Sequence, residues 1–405
     1  MLTSIRRWFE QRTSTSTLSN PASWLREAFG AEETYSGQSI TAETAMRSTA
    51  VLACIRVLSE GVAGLPLQLY RRTGEGRDLA PQHPSYRVLH RIPNSRQTSF
   101  EYRQLCMVHV LLFGNAFSEI VRDPSGNVAE LWPIHPSLVT VKADSFEIYA
   151  NGQRTELPWA DVLHLKGLST DGRVGLSPIQ AAKQSIGLGL AAERFGATYF
   201  GSGSRVGGVL NIPGHLNPEQ TAALHAAWNR RHAGPDHQHD IAVLHGDMKF
   251  EPFRINNEES QWLDSRRFGV EDICRIYRVP PHMAGDLSKA NYSNVDALDR
   301  AFVQHSLMPY LIAQEQAFTM RLLSEPDQET YYVEHDAGGL LRGDPESQMR
   351  SFQAAIYAGI FSPNDARKKL NLNPREGGDI YLQPTNLAPS PFAPAQTQQT
   401  QGVQQ

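Results

Sequence analysis

Two adjacent prolines, Pro280 and Pro281, constrain this chain more than any other feature. Neither ring nitrogen can donate a backbone hydrogen bond, and each proline restricts the residue before it, so a helix arriving from the N-terminal side is predicted to stop near Val279. Leu263, Val270, Cys274 and Tyr277 follow at steps of seven, four and three, which places them on one side of a 3.6-residue repeat. Arg266, Arg267, Asp272 and Arg275 fall on the wet side. Beyond the prolines, residues 283–292 are too polar and irregular to be buried. Ser293 with Asp296 then has the form of an N-cap, and Val295, Leu298, Phe302, Ile312 and Leu323 continue at roughly helical spacing. The reading is one long helix over 294–325, kinked near Pro309. Two helices that present a polar loop form a mechanical arrangement more than a catalytic one.

The chain has 405 residues, enough for two or three subdomains with cores of their own. A formal net charge of −4 argues against a protein that grips nucleic acid by neutralising phosphates, though not against one that lets nucleic acid slide past. Cys54, Cys106 and Cys274 are far apart, each in an apolar helical pattern, and read as small core residues. No apolar run is long enough to span a bilayer, so no membrane partner is expected. Residues 1–39 read as a flexible arm and the Pro/Ala/Gln-rich stretch 387–405 as a disordered tail.

Residues 41–60 carry a helix pattern with Met46, Ala50, Cys54, Val57 and Leu58 on one side, closed by Gly61 and the Gly64–Pro66 run. A strand is predicted over Leu67–Tyr70 and a short helix around Tyr86–Leu89. Thr98 with Glu101 reads as a capping box opening a helix to Gly114. From Asn115 to Lys166 the period changes to two, with hairpin chemistry at Asp123–Asn127 and at Asn151-Gly152. The section from about 40 to 170 is therefore predicted to be α+β with a mostly antiparallel sheet.

Ser177 as N-cap and Pro178 at the first helical position start a helix to about Phe200, with Ile179, Ala182, Ile186 and Leu190 as its stripe. Gly187, Gly189, Gly196 and several alanines make it small-sided, and interior glycines cost about 1 kcal/mol each against alanine, so a tight neighbour is expected. That neighbour is either the 259–279 helix or the same helix of another subunit. Between these helices lies an insert with strands at Val206–Ile212, Ile241–Leu244 and Met248–Phe253 and a helix at Pro218–His232. Tyr331–Glu334 reads as a strand, followed by helices from about Pro345 to Ala358 and, capped by Ser362-Pro363, to Leu370.

Few residues suggest chemistry. His232, His237, His239 and Asp240 could ligate a metal in a hydrolase or nuclease, but a Gly/Pro turn without a helical His pair reads better as an exposed polar loop. The Gly201–Arg205 run lacks the phosphate-loop pattern and follows a helix instead of opening one. His135 and His164 read as core or edge histidines, and no catalytic, metal or cofactor-binding constellation stands out.

Taken in order, the run from Cys54 to Pro66, Gly114–Phe117, Asp161–His164, Gly175–Pro178, Val279–Gly285, Tyr292–Asn294, Leu341–Asp344 and Gly377–Asp379 resembles the portal proteins of tailed bacteriophages, of the compact kind found in long-tailed phages. The resemblance implies an α+β subunit in several parts. Residues 40–176 would be the wing, 177–204 and 258–282 the paired stem helices, and 205–257 the clip. Residues 283–293 would be the tunnel loop, 294–339 the long kinked helix with a wing strand, and 340–386 a small crown. It further implies a non-enzymatic ring, dodecameric in the family, at one capsid vertex, through which double-stranded DNA is packaged and ejected. Terminase, the major capsid protein and a head–tail connector would be its partners. No cofactor is implied. The residues facing DNA would be Asp286, Leu287, Ser288, Lys289, Asn291 and Tyr292, and those packing the stem Ile179, Ile186, Leu190, Leu263, Val270 and Cys274. A different capsid or tail connector component is the competing structural role.

Overall fold

The computed structural model describes residues 34–74, 76–150, 152–201, 208–211, 217–232, 249–252, 258–287, 295–336, 345–370 and 372–381. The chain divides into two compact units, Met1–Asp336 and Ala337–Gln405.

The first unit opens with α1 (Ala42–Ala45) and α2 (Thr49–Ala63). The single helix expected over 41–60 is two, because Ser48 takes an extended conformation and starts the second helix afresh. Gly61 does not end α2; the Leu307 side chain lies where a Cβ would meet it at ordinary contact distance, 3.4 Å. β1 (Leu67–Thr73) and β2 (Gly76–Leu79) form a hairpin, and α3 (Pro84–Tyr86) runs into a π turn at Arg87–Arg91. In α4 (Ser99–Phe113) the capping box is made as expected: Thr98 N–H donates to the Glu101 carboxylate at 2.8 Å and Glu101 N–H to Thr98 Oγ1 at 3.2 Å. Arg103 of α4 is buried, with no carboxylate partner among the described residues; its guanidinium donates at 2.7 Å to the carbonyl of Ala63, at the electronegative end of α2. Burial lowers its pKa to about 10.

Six strands follow: β3 (Asn115–Arg122), β4 (Val128–Ile134), β5 (Val139–Val141), β6 (Ser145–Ala150), β7 (Gln153–Pro158) and β8 (Val162–Lys166). Next come α5 (Pro178–Ala181) and α6 (Lys183–Gly201), then β9 (Gly208–Asn211), α7 (Pro218–His232) and β10 (Lys249–Pro252). The Ser177 cap is present, but the helix expected over 177–200 breaks at Ala182. α8 (Glu258–Tyr277) leads to a 3-10 turn at Pro281–Ala284; α9 (Val295–Phe302), a π turn at Val303–Leu307, α10 (Met308–Leu322), α11 (Glu325–Thr330) and β11 (Tyr331–His335) complete the unit. The strand expected over Ile241–Leu244 and the Ser293 cap lie outside the described residues.

Among the described residues every strand pairing is antiparallel, in sheets of order β11-β1-β2, β4-β3-β8, β5-β6-β7 and β9-β10. β3 is central, with Phe117 opposite Ile134 on one side and His164 on the other. Its two faces enter two cores, so it reads as an almost unbroken buried run. Ala116 and Ile120 join Cys106, Val110, Leu131, Leu163, Phe318 and Leu322. Phe117 joins Ile134, Leu138, Phe146, Ile148 and Val162.

The long helix deviates before Pro309, not at it. The π turn inserts one residue into the repeat, so the buried positions step from Phe302 to Leu307 and then through Leu311, Gln314, Phe318 and Leu322. Without that insertion helical spacing from Phe302 would run on to Pro309 and Ile312; Ile312 is instead 44% exposed, and the expected stripe residue Leu298 is 37% exposed. A proline ring clashes with the carbonyl four residues back and offers it no N–H, and the widened turn accommodates both defects.

In the second unit, α12 (Pro345–Tyr357) and α13 (Pro363–Lys369) are joined by a turn, and Ser362 and Asp365 exchange capping-box bonds. Asn364 is the hub. It donates to Arg375 O at 3.0 Å and Asp379 Oδ1 at 2.9 Å, accepts from Arg375 N–H at 2.9 Å, and its own N–H reaches Gly378 O at 2.8 Å.

Candidate functional site

α6 packs against α8, and α8 packs against α2. Ile179 and Ile186 are buried, as is Cys274, while Leu190 and Val270 are half-buried. Leu263 lies in α8 at a position whose side chain is outside the described residues. Cys274 meets Cys54 of α2 with the sulfurs 4.0 Å apart, and the sulfur–sulfur hydrogen bond with burial raises the Cys54 thiol well above its ordinary pKa. Tyr277 donates to Leu111 O at 3.2 Å. The tight neighbour expected for the small-sided helix is only partly α8: at Gly187 it is Thr34, whose side chain a Cβ would strike, and Tyr35 N–H donates to Gln184 Oε1 at 3.0 Å. Gly189 has nothing within 4 Å. Leu188, Phe195 and Phe268 stand 65%, 55% and 58% exposed on the two helices, a load of exposed apolar surface.

α8 ends two residues before the expected stop at Val279. Arg278 carries φ 55°, and among the described residues it is the one non-glycine with a positive φ. Val279 N–H donates to Cys274 O at 2.9 Å and Arg278 N–H to Arg275 O at 3.3 Å, the paired bonds of a Schellman ending, with arginine where glycine is usual. Pro280 and Pro281 then lead into the 3-10 turn, which closes at Gly285 with φ 93°. Asp286 is half-buried, its N–H donating to Pro281 O at 2.9 Å, and Leu287 is 70% exposed. Ser288, Lys289, Asn291 and Tyr292 lie outside the described residues.

Three contacts tie the start of this segment to the helix on its far side. Ser306 Oγ donates to Arg278 O at 2.5 Å. Arg278 Nη1 reaches His305 O at 3.5 Å, a long bond. His282 Nε2 lies 3.2 Å from Asp299 Oδ1 on α9, which as an acceptor requires the proton on that nitrogen. The sequence pattern missed these residues. One signal was available: Pro309 stands four after His305 and deprives that carbonyl of its helical donor.

His164, buried on β8, donates from Nε2 to Asn115 Oδ1 at 2.9 Å, so it is a core histidine as expected. His135 is held at 2.6 Å by Ser137 Oγ. Of the metal candidates, His237, His239 and Asp240 lie outside the described residues, as does the His232 side chain. Among the described residues no group of three or more His, Cys, Asp or Glu could hold a metal, and no helix is long and apolar enough to cross a membrane.

This geometry has relatives. The phage portal protein family matches residues 49–371. A probable portal protein of Streptomyces phage phiC31 is 31% identical over 376 residues, covering 87% of this chain and 81% of the relative. The portal protein of Enterobacteria phage HK97 is 26% identical over 359 residues, covering 87% and 85%. Among solved structures, a chain from the neck of an empty gene transfer agent particle, computed with C6 symmetry, aligns at a TM-score of 0.59 with 21% identity, covering 88% of this chain and 95% of that one. The crystal structure of an HK97 family phage portal protein from Corynebacterium diphtheriae aligns at 0.55 with 18% identity, covering 75% and 97%. With its α+β architecture, its helix pair and its family match over most of its length, the chain belongs to the phage portal protein family.

Proposed function

We propose that copies of this chain close into a ring of twelve at one capsid vertex of a virion, and that double-stranded DNA passes through its centre during packaging and ejection. The observation that carries this reading is the order helix, insert, helix, polar segment, long helix. α5 and α6 lead into the β9–α7–β10 insert, α8 leads out, and the chain then turns at Arg278 into residues 283–293. In this reading residues 40–176 form the wing, α5, α6 and α8 the stem, 205–257 the clip, 294–339 the long helix and its wing strand, and 340–386 a small crown. The exposed Leu188, Phe195 and Phe268 support a neighbouring copy on the helix pair. Necks of gene transfer agent particles computed with C6 and C12 symmetry support the ring.

Asp286, Leu287, Ser288, Lys289, Asn291 and Tyr292 would face the DNA. B-DNA presents a phosphate charge about every 1.7 Å along its axis, so a strongly cationic lining would hold it. A chain of net charge −4 suits a low-friction conduit. Driving force comes from a separate terminase docked on the clip, the head–tail connector takes that place later, and the major capsid protein surrounds the ring. Electron microscopy of the purified protein is expected to show closed rings with residues 283–292 at the pore. A persistent monomer at micromolar concentration, or those residues on the outer rim, sinks the reading. Shortening 284–291 is expected to leave rings intact and to lower packaged DNA.

A further inference from the structure

The end of α8 is built in an unusual way. A left-handed residue at a helix C-terminus is ordinarily glycine, because a Cβ there crowds the following carbonyl. Arg278 occupies that position at φ 55°, so a side chain is present despite the strain. Its guanidinium points to His305 O, the carbonyl that Pro309 deprives of a donor, and its own carbonyl is taken by Ser306 Oγ, a buried hydroxyl. The π turn at Val303–Leu307 is therefore fastened in both directions to the last turn of α8. His282 and Asp299 add a second tie one turn further along. Sequence separates the joined partners by 17 to 28 positions.

We propose that Arg278 is a positioning residue for the segment that joins α8 to α9. Its strained backbone turns the chain out of the helix, and its two bonds to the π turn make both roots of the segment move as one body. The Pro309 defect in the long helix is the matching half of the device, because a regular turn there would bring a helical N–H onto His305 O in competition with the guanidinium. The proposal rests on the reading that residues 283–292 face the channel: a pore-lining segment under load from passing DNA transmits force to whatever holds its ends.

The test compares assembled rings of the full chain with Arg278→Gly, Arg278→Lys, Pro309→Ala and the Arg278→Gly/Pro309→Ala pair. Arg278→Gly relaxes the backbone and deletes the strut, so the thermal midpoint is expected to rise by about 1–3 °C while packaged DNA falls about tenfold. A purely structural arginine would give the rise without the fall. Amide exchange at 279–287 and 295–302 is expected to quicken about tenfold, the size of one lost hydrogen bond to a charged donor. Arg278→Lys keeps a cationic donor and is expected to restore packaging to within about threefold. Pro309→Ala is expected to reproduce the exchange change, and the pair to add nothing to either single variant, since both remove the same bond. Unchanged exchange in Arg278→Gly, wild-type packaging by its rings, or additive effects in the pair would each overturn the proposal. Normal packaging by rings shortened at 284–291 would instead sink the channel reading, and the exchange result would still judge the strut.

Discussion

Two helices in this molecule end with the same backbone gesture and fill it differently. α4 ends at Gly114 with φ 78°, and α8 ends at Arg278 with φ 55°. Around Gly114 the chain is packed backbone to backbone. A Cβ there would come closer than 3.0 Å to the carbonyl of Leu176, and one on Gly175 would collide in turn with the carbonyl of Gly114. Asn115 stitches the same corner together, accepting from Gly175 N–H at 2.7 Å and donating to Gly175 O at 2.8 Å. At Arg278 the packing is through side chains, and a β-carbon is accommodated. The difference teaches that positive φ alone does not demand glycine; a second stretch of backbone pressed against the Cα does. It also separates a corner that fixes where the chain enters α5 from one where a side chain has been kept for another purpose.

The largest effect expected from this contrast is at Gly114. Gly114→Ala adds left-handed strain and a clash with immovable backbone, and should destabilise the first unit by about 3 kcal/mol or more. A shift in denaturant midpoint corresponding to less than about 1 kcal/mol would break the comparison. Next comes Asn115→Ala, which leaves the N–H and C=O of Gly175 and the Nε2–H of His164 without their partner in a buried corner. About 2–3 kcal/mol is expected, with part of it recovered by Asn115→Gln only if the longer amide can still reach.

The same corner has a pH signature. Burial, with the charges of Lys166 and Arg321 adding to it, lowers the His164 pKa to about 3. The unfolded chain takes up a proton near pH 6.5 that the folded one refuses, so stability is fully present above that pH and is lost as pH falls from about 6.5 toward 3. The slope is at most about 1.4 kcal/mol per pH unit for this residue. His335, lowered by burial against the opposing pull of Glu315, contributes with the same sign. His164→Gln should flatten the acid limb of a stability–pH curve; an unaltered limb would place the protonation elsewhere.

How much of this was legible in the sequence follows from which interactions are local. Thr98 with Glu101, Ser177 with Pro178 and Ser362 with Asp365 announce their caps because donor and acceptor lie within one helical turn. The hairpin at Asn151-Gly152 was readable for the same reason, and β6 and β7 pair directly across it. The π turn was not, since the extra residue is stabilised by partners on a different helix and by Leu307 lying against α2. Nor was the covering of Gly187 by Thr34, a contact between positions 153 apart in sequence. Of the candidate site, the buried stripe of α5, α6 and α8 was visible as a period, whereas the knot at Arg278 was invisible because arginine carries no preference for the conformation it holds there.

Gly285 offers the finest test of the idea that contact, not φ, decides the need for glycine. It sits seven residues beyond Arg278 with φ 93°, further into the left-handed region than Gly114, yet nothing lies within 4 Å of the Cβ it lacks. Gly285→Ala should therefore cost only the conformational strain, about 1–2 kcal/mol, and less in the measured stability because the 3-10 turn can relax into solvent. Gly285→Asn should cost a few tenths of a kcal/mol, since asparagine tolerates this region through local hydrogen bonding. If Gly285→Ala proved as damaging as Gly114→Ala in the isolated subunit, backbone conformation alone would explain both corners. If it were mild in the subunit but severe in the ring, the open space beside Gly285 would be filled by a neighbouring copy, and the distinction between the two corners would then be one between contacts within a chain and contacts between chains.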